Sequence, residues 1–425
     1  MLNRRDILKL GGAAYLASAL PRARATTPAV GVPRRLICVF ATGAWDTTYA
    51  LDPKEPTYAD VPAGAVQTFA GLDVFCDASR PSVTQFFEKY APLTAIVRGI
   101  GTDAINHNET QRRIATGTRE ETHPDFGAIV AHDLGTALPV PYLILGDVAF
   151  AGEYNVLAAR VGTTNQIAEL VGAPGGSGGV ATGTVTPDPD TGPSAAEAEL
   201  LSRYAQASAD RARATRGALG YNRRRVDDFA EAITRGDKLR ALGGFGTRGQ
   251  ASSFDAQIAI ALDALEQDVS QAVMLNTRQP WDTHSDNYLQ AGFHEVTFAG
   301  LTALLDALAA RPGRAAGTKM IDDTVVVCMS EMARTPRLGG DPPHAGKGHW
   351  PLTAELVIGA GVAGGRVFGS TTPDMQAIAV DLATGAPLAG GTIPMYSHFV
   401  AGVLALCGVD PTAHLPVPAY HAFVA

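Results

Sequence analysis

Short apolar runs typical of buried strands recur along this chain, and three of them end close to residues that carry chemistry. In α/β sheets, ligands and catalytic groups collect at the carboxyl ends of parallel strands. We therefore expect these residues to meet at one edge of a sheet. The runs and the residues after them are 36–40 with Asp46, 271–276 with Trp281-Asp282-Thr283-His284, and 324–329 with Ser330-Glu331.

Apolar strand-like runs alternate with helical stretches over most of the chain. This alternation predicts an α/β fold, with a mostly parallel sheet sandwiched between helices. The predicted strands are 36–40, 94–97, 141–145, 273–276, 324–329 and 354–358. The predicted helices are 82–90, 108–117, 125–134, 254–268, 288–310 and 397–407.

The first 25 residues have the features of a twin-arginine signal peptide. Arg4-Arg5 precede an apolar stretch to Leu20, and Ala23-Arg24-Ala25 forms a small-residue cleavage site. The apolar stretch is too short for a stable membrane span. We expect a periplasmic or otherwise exported protein with no transmembrane span, whose folded domain comprises residues 26–425.

The charge of the chain limits the classes of molecule that it is expected to bind. Without residues 1–25, which hold five basic residues and one acidic residue, the formal net charge falls from -8 to -12. An acidic surface argues against nucleic acid and anionic membranes as partners. The four cysteines have no Cys-x-x-Cys spacing, which favours buried thiols over a disulfide framework.

A segment at about 172–250 interrupts the alternating pattern. It begins with a stretch, 172–193, that is dominated by Gly, Pro, Thr, Ser and Asp, and a charged helical block follows from residue 195 to about 242. We interpret the stretch as a flexible surface loop. Loop and helices together are predicted to be an insertion in a single domain.

Asp282 and His284 are the first candidates for a metal site. Residues two apart in an extended segment point to the same face, so both side chains can reach one ion. A structural, hydrogen-bonded His284 is the alternative. Asp46, beside Gly43, is either a ligand or the cap of a turn.

Other polar residues could complete a catalytic site. Arg334 could bind an anionic oxygen or pair with Glu331 and brace the loop. His349 lies in a glycine-rich loop that could approach a ligand. His107 and Thr110 lie where a helix begins, a position that suits an anion or nucleophile, although a simple helix cap at Asn108 explains the pattern as well.

Taken in chain order, these motifs resemble an exported bacterial family, domain of unknown function 1501, which is a branch of the alkaline phosphatase and sulfatase superfamily. The resemblance covers essentially the whole mature chain. It rests on the twin-arginine leader, Asp46, Asn106-His107, Arg112-Arg113, Thr116-Gly117, Trp281-Asp282-Thr283-His284, Ser330-Glu331-x-x-Arg334-Thr335-Pro336 and Gly348-His349-Trp350.

The resemblance implies an alkaline-phosphatase-like fold and one or two divalent ions, whether zinc, calcium, magnesium or manganese. It assigns the metal ligands to Asp46, Asp282, His284, Glu331 and His349, and the nucleophile to the region of His107, Asn108 and Thr110. We expect metal-assisted hydrolysis of a small anionic phosphate or sulfate ester, with Arg334 or His107 stabilising charge. The alternative is a non-catalytic exported protein that binds a protein partner and holds at most a structural metal.

Overall fold

The computed structural model describes residues 33–161, 195–215, 220–242, 251–340 and 345–425. The predicted signal peptide, the part of the insertion before residue 195, and His344 lie outside these residues. Residues Arg34–Ala425 form one compact unit.

An eight-stranded sheet organises this unit. Along the chain its strands are β1 (Arg35–Phe40), β4 (Thr94–Gly101), β5 (Tyr142–Ile144), β6 (Ala158–Arg160), β7 (Ala272–Asn276), β8 (Thr324–Met329), β11 (Leu352–Gly359) and β12 (Arg366–Phe368). Their spatial order is β12-β4-β11-β8-β1-β7-β5-β6. Only β11 runs antiparallel to its neighbours, β4 and β8. The mostly parallel α/β prediction is confirmed.

Two short two-stranded sheets flank the main one. They pair β2 (Ala65–Phe69) with β3 (Leu72–Cys76), and β9 (Ala333–Arg334) with β10 (His349–Trp350). In the second pair His349 lies opposite Arg334. This pairing carries His349 back to the loop that follows β8.

Helices cover both faces of the sheet because successive residues of its strands point to opposite sides. Ile37 and Val39 of β1 join one core, with apolar residues of α1 (Pro81–Tyr90), α6 (Phe254–Glu266) and α7 (Leu289–Ala310). Leu36, Cys38 and Phe40 join the other, with α2 (His107–Thr116), α3 (Phe126–Gly135) and α8 (Tyr396–Cys407). All six predicted helices are present.

Two further helices, α4 (Ala195–Ala214) and α5 (Gly220–Leu242), occupy the predicted insertion. They pack on each other, and Arg213 pairs with Asp227 at 2.6 Å. Arg235 and Lys238 of α5 donate to the carbonyls of Val156 and Ala137. The insertion is therefore attached to the loops around α3 and β6.

The four cysteines, Cys38, Cys76, Cys328 and Cys407, are buried free thiols, as predicted. Burial raises the pKa of each of these thiols above its ordinary value. Helix α7 is long and apolar enough to span a membrane. Its Phe298 is nevertheless fully buried, with its ring 5.2 Å from that of Phe86 in α1, as expected for a core helix.

Candidate metal site

The candidate site lies at the carboxyl edge of the sheet. Strands β7 and β8 both run parallel to β1, so all three end at this edge. The segments after them supply Asp46, Asp282 with His284, and Glu331. His107 begins α2, which follows β4, and β10 brings His349. The structure thus brings the predicted residues from separate strand ends to one region.

His107, Asp282 and His349 offer ligand atoms that all lie within 4.8 Å of one another. The Oδ1 atom of Asp282 is 3.4 Å from His107 Nε2 and 3.3 Å from His349 Nε2. His284 joins them, because its Nε2 atom is 3.1 Å from Asp282 Oδ1 and 2.9 Å from His349 Nε2. Three imidazoles and one carboxylate therefore converge.

These spacings suit a common ion. Zinc binds histidine nitrogen and carboxylate oxygen at about 2.0–2.2 Å in tetrahedral geometry, which places neighbouring donor atoms roughly 3.3 Å apart. The four distances around Asp282 and His349 lie close to that value. Nitrogen and carboxylate donors together also favour zinc over calcium or magnesium.

The tautomers of two histidines are set by their outer hydrogen bonds. His107 Nδ1 lies 2.7 Å from Glu331 Oε1, and His349 Nδ1 lies 2.8 Å from the carbonyl of Ile105. Each Nδ1–H donates to an acceptor, which leaves the Nε2 lone pair directed into the cluster. The buried Nε2 of His107 has no hydrogen-bond partner among the described residues. A metal ion would satisfy it.

Charge at the cluster is unevenly distributed. The hydrogen bond to Glu331 raises the pKa of His107 above its ordinary value. Partial burial, and then the charge of Arg334, lower the pKa of His284. Burial would raise the pKa of Asp282, but the hydrogen bond and charge of Arg334 outweigh it and bring that pKa to about 2. Asp282 is therefore anionic at neutral pH.

Glu331 lies behind the cluster rather than in it. The carboxylate is fully buried and accepts from His107 and, at 2.9 Å, from the Gly43 amide. Ser330 Oγ lies 3.2 Å from its second oxygen. The geometry gives Glu331 an orienting position, whereas the resemblance implied direct ligation.

Asp46 is also set apart from the cluster. It is fully buried, and its Oδ2 atom is 2.7 Å from the ammonium of Lys347 and 2.8 Å from the amide of Asn287. Its Oδ1 atom accepts from the backbone and side chain of Thr48, which makes Asp46 the cap of a short helical turn. A lysine thus stands where the resemblance implied a metal ion.

Arg334 supports the loops that carry the cluster. The guanidinium is fully buried and donates to Asp282 at 2.6 Å, not to Glu331. It also donates to the carbonyls of Gly43, Ala44, Trp281 and Lys347. With all these partners, Arg334 connects three loops, and its guanidinium has no pair of N–H groups free to bind a substrate anion.

Thr110 is not presented to a substrate. It is fully buried, and its hydroxyl donates to the carbonyl of Asn106 at 2.7 Å. The geometry therefore offers no nucleophile at this position. Asn106, not Asn108, caps the helix, because its side chain accepts from the Glu109 amide.

Close packing of two glycines holds the loop that carries Asp282 and His284. A Cβ atom added at Gly346 would lie 1.7 Å from the His284 carbonyl oxygen, and one added at Gly43 would lie 2.7 Å from the Asp282 nitrogen. Gly43 also has a φ of +122°, which favours glycine. Both positions keep the backbone of this loop in place.

Sequence reasoning missed the ion pair of Lys347. Lys347 lies between Gly346 and Gly348 in a loop, where a solvated lysine is the usual expectation. The two glycines were the only indication that this lysine could pack closely against other parts of the chain. It also placed His107 among the catalytic residues, not among the ligands. Its position after a strand end and at the start of a helix could have indicated either role.

Comparisons with known proteins show which family the chain belongs to, but they show neither a substrate nor a reaction. No curated protein matches the sequence. The fold is similar to Ps i-CgsB, solved with k-i-k-neocarrahexaose, at 13% identity and a TM-score of 0.40, over 91% of this chain and 75% of that one. It is also similar to the lipoteichoic acid synthase LtaP from Listeria monocytogenes, at 10% identity and a TM-score of 0.35, over 92% and 76%.

The PsFucS1 sulfatase from Pseudoalteromonas sp. is similar at 9% identity and a TM-score of 0.34, over 96% of this chain and 72% of that one. Likenesses this weak leave the chemistry to be argued from the residues themselves. The family profile is more decisive, since it matches residues 33–385. The chain belongs to the family described as Protein of unknown function (DUF1501), as its motifs predicted.

Proposed function

We propose that this protein is an exported, metal-dependent hydrolase of phosphate or sulfate esters. The observation that carries the proposal is the convergence of His107, Asp282, His284 and His349 on one point. Asp282 and His284 are each half exposed, so a substrate could reach them. Zinc is the ion that these donors fit best.

A bound divalent ion would polarise an ester oxygen and make a water molecule more acidic. The protein's own residues hold the site ready for that chemistry. Glu331 keeps the Nδ1–H of His107 in place, and Ile105 does the same for His349. Arg334 holds the Asp282 carboxylate in its anionic form.

A non-catalytic protein with a structural metal is the second candidate. Structural zinc sites have four protein ligands, and catalytic sites keep one position open. The two cases differ in whether the exposed His284 stays bound to the ion. If it stays bound, the site is closed; if it gives way to substrate, three ligands remain, namely His107, Asp282 and His349.

Metal analysis of the folded protein, followed by turnover of aryl phosphates and sulfates, tests the proposal. We expect one equivalent of zinc per chain and slow, metal-dependent turnover. Asp282→Ala or His284→Ala should lower both metal occupancy and turnover at least about tenfold, because each removes a donor. Thr110→Ala should spare metal binding, since its hydroxyl bonds to its own helix.

Asp286→Ala is the matched control. Asp286 lies on the same exposed loop and accepts only from the Tyr288 amide among the contacts described for it. It should leave zinc occupancy unchanged. Stoichiometric zinc with no turnover of any ester in a broad panel would favour the structural-metal candidate, and absence of zinc binding would refute both.

A further inference from the structure

Charged side chains around the cluster do not balance. Three carboxylates and two cationic side chains form one buried or half-buried network. Arg334 pairs with Asp282 at 2.6 Å, and Lys347 pairs with Asp46 at 2.7 Å. The third carboxylate, Glu331, faces His107, which is neutral when its Nε2 atom binds an ion. One negative charge is left over.

Neither cation can turn toward a bound substrate. Arg334 and Lys347 are both fully buried, and each is held by several contacts. Lys347 also lies 5.2 Å from the centre of the Tyr49 ring, a cation–π contact that adds to its fixed position. Releasing Lys347 would leave the buried Asp46 carboxylate unpaired, which is strongly unfavourable. Releasing Arg334 would break its bond to Asp282 and its bonds to four backbone carbonyls.

Two arginines of α2, the helix that His107 begins, also lie close to carboxylates. In α2, Arg112 lies 3.5 Å from Glu121, and Arg113 lies 3.4 Å from Glu109. Neither pair adds net positive charge, although the Nε atom of Arg112 has no hydrogen-bond partner among the described residues. Within the network itself, the positive charge that meets a substrate would come from a bound metal ion.

We propose that the site selects esters with a single negative charge over dianionic phosphate monoesters. The inference rests on the proposed function. One divalent ion added to one excess negative charge leaves one positive charge, which a monoanion neutralises. A dianion would leave an uncompensated negative charge in a partly desolvated site, where it is costly.

Phosphodiesters and sulfate monoesters share this single charge, whereas a phosphate monoester carries about -1.5 to -2 at pH 7. In hydrolysis of either class, a water oxygen forms the new bond to phosphorus or sulfur. The bond to the ester oxygen breaks with its electron pair, and that oxygen takes one proton of the water. The second proton stays on the product acid or passes to solvent.

Ligand binding tests the inference without reference to turnover. Isothermal titration of the zinc-loaded full chain at pH 8 would compare dimethyl phosphate, a monoanion, with methyl phosphate, a dianion. We expect dimethyl phosphate to bind at least about tenfold more tightly. Equal or tighter binding of methyl phosphate, or no binding of either ligand, would overturn the inference.

Changing the charge of the site should change this preference. Glu331→Gln removes one negative charge while keeping an acceptor for His107, so the preference should shift toward methyl phosphate by about tenfold. The control is Glu88→Gln, an exposed residue near the end of α1. It should leave the ratio unchanged. An unaltered ratio in zinc-loaded Glu331→Gln contradicts the charge argument, and the wild-type comparison remains decisive if that variant does not fold.

Substrates that share the same leaving group can distinguish phosphodiesters from sulfate monoesters as the preferred monoanion. Methyl 4-nitrophenyl phosphate, 4-nitrophenyl sulfate and 4-nitrophenyl phosphate should be compared by kcat/KM. A higher value for the diester or for the sulfate identifies which monoanion is preferred. A higher value for 4-nitrophenyl phosphate overturns the inference but leaves the hydrolase proposal intact, whereas absence of zinc binding removes both.

Discussion

At the level of single side chains, the site depends on which nitrogen of each histidine carries a proton. Glu331 and the Ile105 carbonyl both accept from Nδ1 atoms, and this directs two Nε2 atoms at Asp282. A carboxylate or carbonyl behind a histidine raises its basicity as a ligand. The deeper residues therefore matter to the site even though they do not reach the cluster.

Glu355 lies deeper still, in the middle of the sheet. It is fully buried, its Oε2 atom accepts from the Ser330 amide at 3.0 Å, and its Oε1 atom has no partner among the described residues. Burial, and then the charge of Glu331, raise the pKa of Glu355 well above its ordinary value. The folded protein thus holds Glu355 protonated at pH values where the unfolded chain does not.

We predict that Glu355→Gln stabilises the protein more at pH 8 than at pH 5. A carboxyl with a raised folded-state pKa lowers stability as pH rises above its unfolded pKa, about 4.3, and glutamine removes this dependence. Thermal unfolding at both pH values measures the effect, with exposed Glu88→Gln as control. The same change in Tm at both pH values would contradict a protonated Glu355.

At the level of elements, the periodicity of the sequence predicted the main strands and all six helices of the two layers. It could not predict that β11 runs antiparallel, because an apolar run has no direction. It also missed β6 and β12, each only three residues long. Such short edge strands owe their pairing to neighbours, not to their own composition.

Part of the candidate site was also predictable from the sequence pattern. Asp282, His284 and His349 follow recognisable strands and loops, so their meeting at one edge could be expected. The pairing of Asp46 with Lys347 could not, because 301 positions separate the two residues and neither has a local pattern that indicates burial. Ligation by Asp46 and Glu331 remains a prediction from the resemblance, which their observed partners do not favour.

The loop between β7 and α7 depends on its contact with Gly346. We predict that Gly346→Ala displaces His284, because the added methyl group would lie 1.7 Å from its carbonyl oxygen. Zinc affinity should fall at least about tenfold, and the Tm should fall as well. Zinc titration and thermal unfolding measure the two effects.

Gly292→Ala is the control for this prediction. Gly292 lies in α7, and a Cβ atom there would meet nothing within 4 Å. Alanine in a helix is favoured over glycine by about 1 kcal/mol, so this variant should keep its zinc site and gain slight stability. Normal zinc affinity in Gly346→Ala would show that the loop adapts and that its position is not fixed by this contact.

At the scale of the whole molecule, we propose that the protein crosses the membrane already folded. Its four thiols are buried and unpaired, so the fold needs no disulfide in an oxidising compartment. A metal site assembled from three distant parts of the chain requires a folded chain before it can bind its ion. A route that carries folded proteins would allow the metal to be inserted in the cytoplasm.

We predict that replacing Arg4 and Arg5 by lysine keeps the precursor in the cytoplasm with its leader uncleaved, because the signal is read through the arginine pair. The wild-type protein should instead reach the periplasm and begin near Thr26. Cell fractionation with N-terminal sequencing measures both. Replacing Arg22 by lysine, which conserves charge outside the pair, should leave export normal. Periplasmic accumulation of the double variant would contradict the twin-arginine proposal, and with it the expectation of cytoplasmic metal loading.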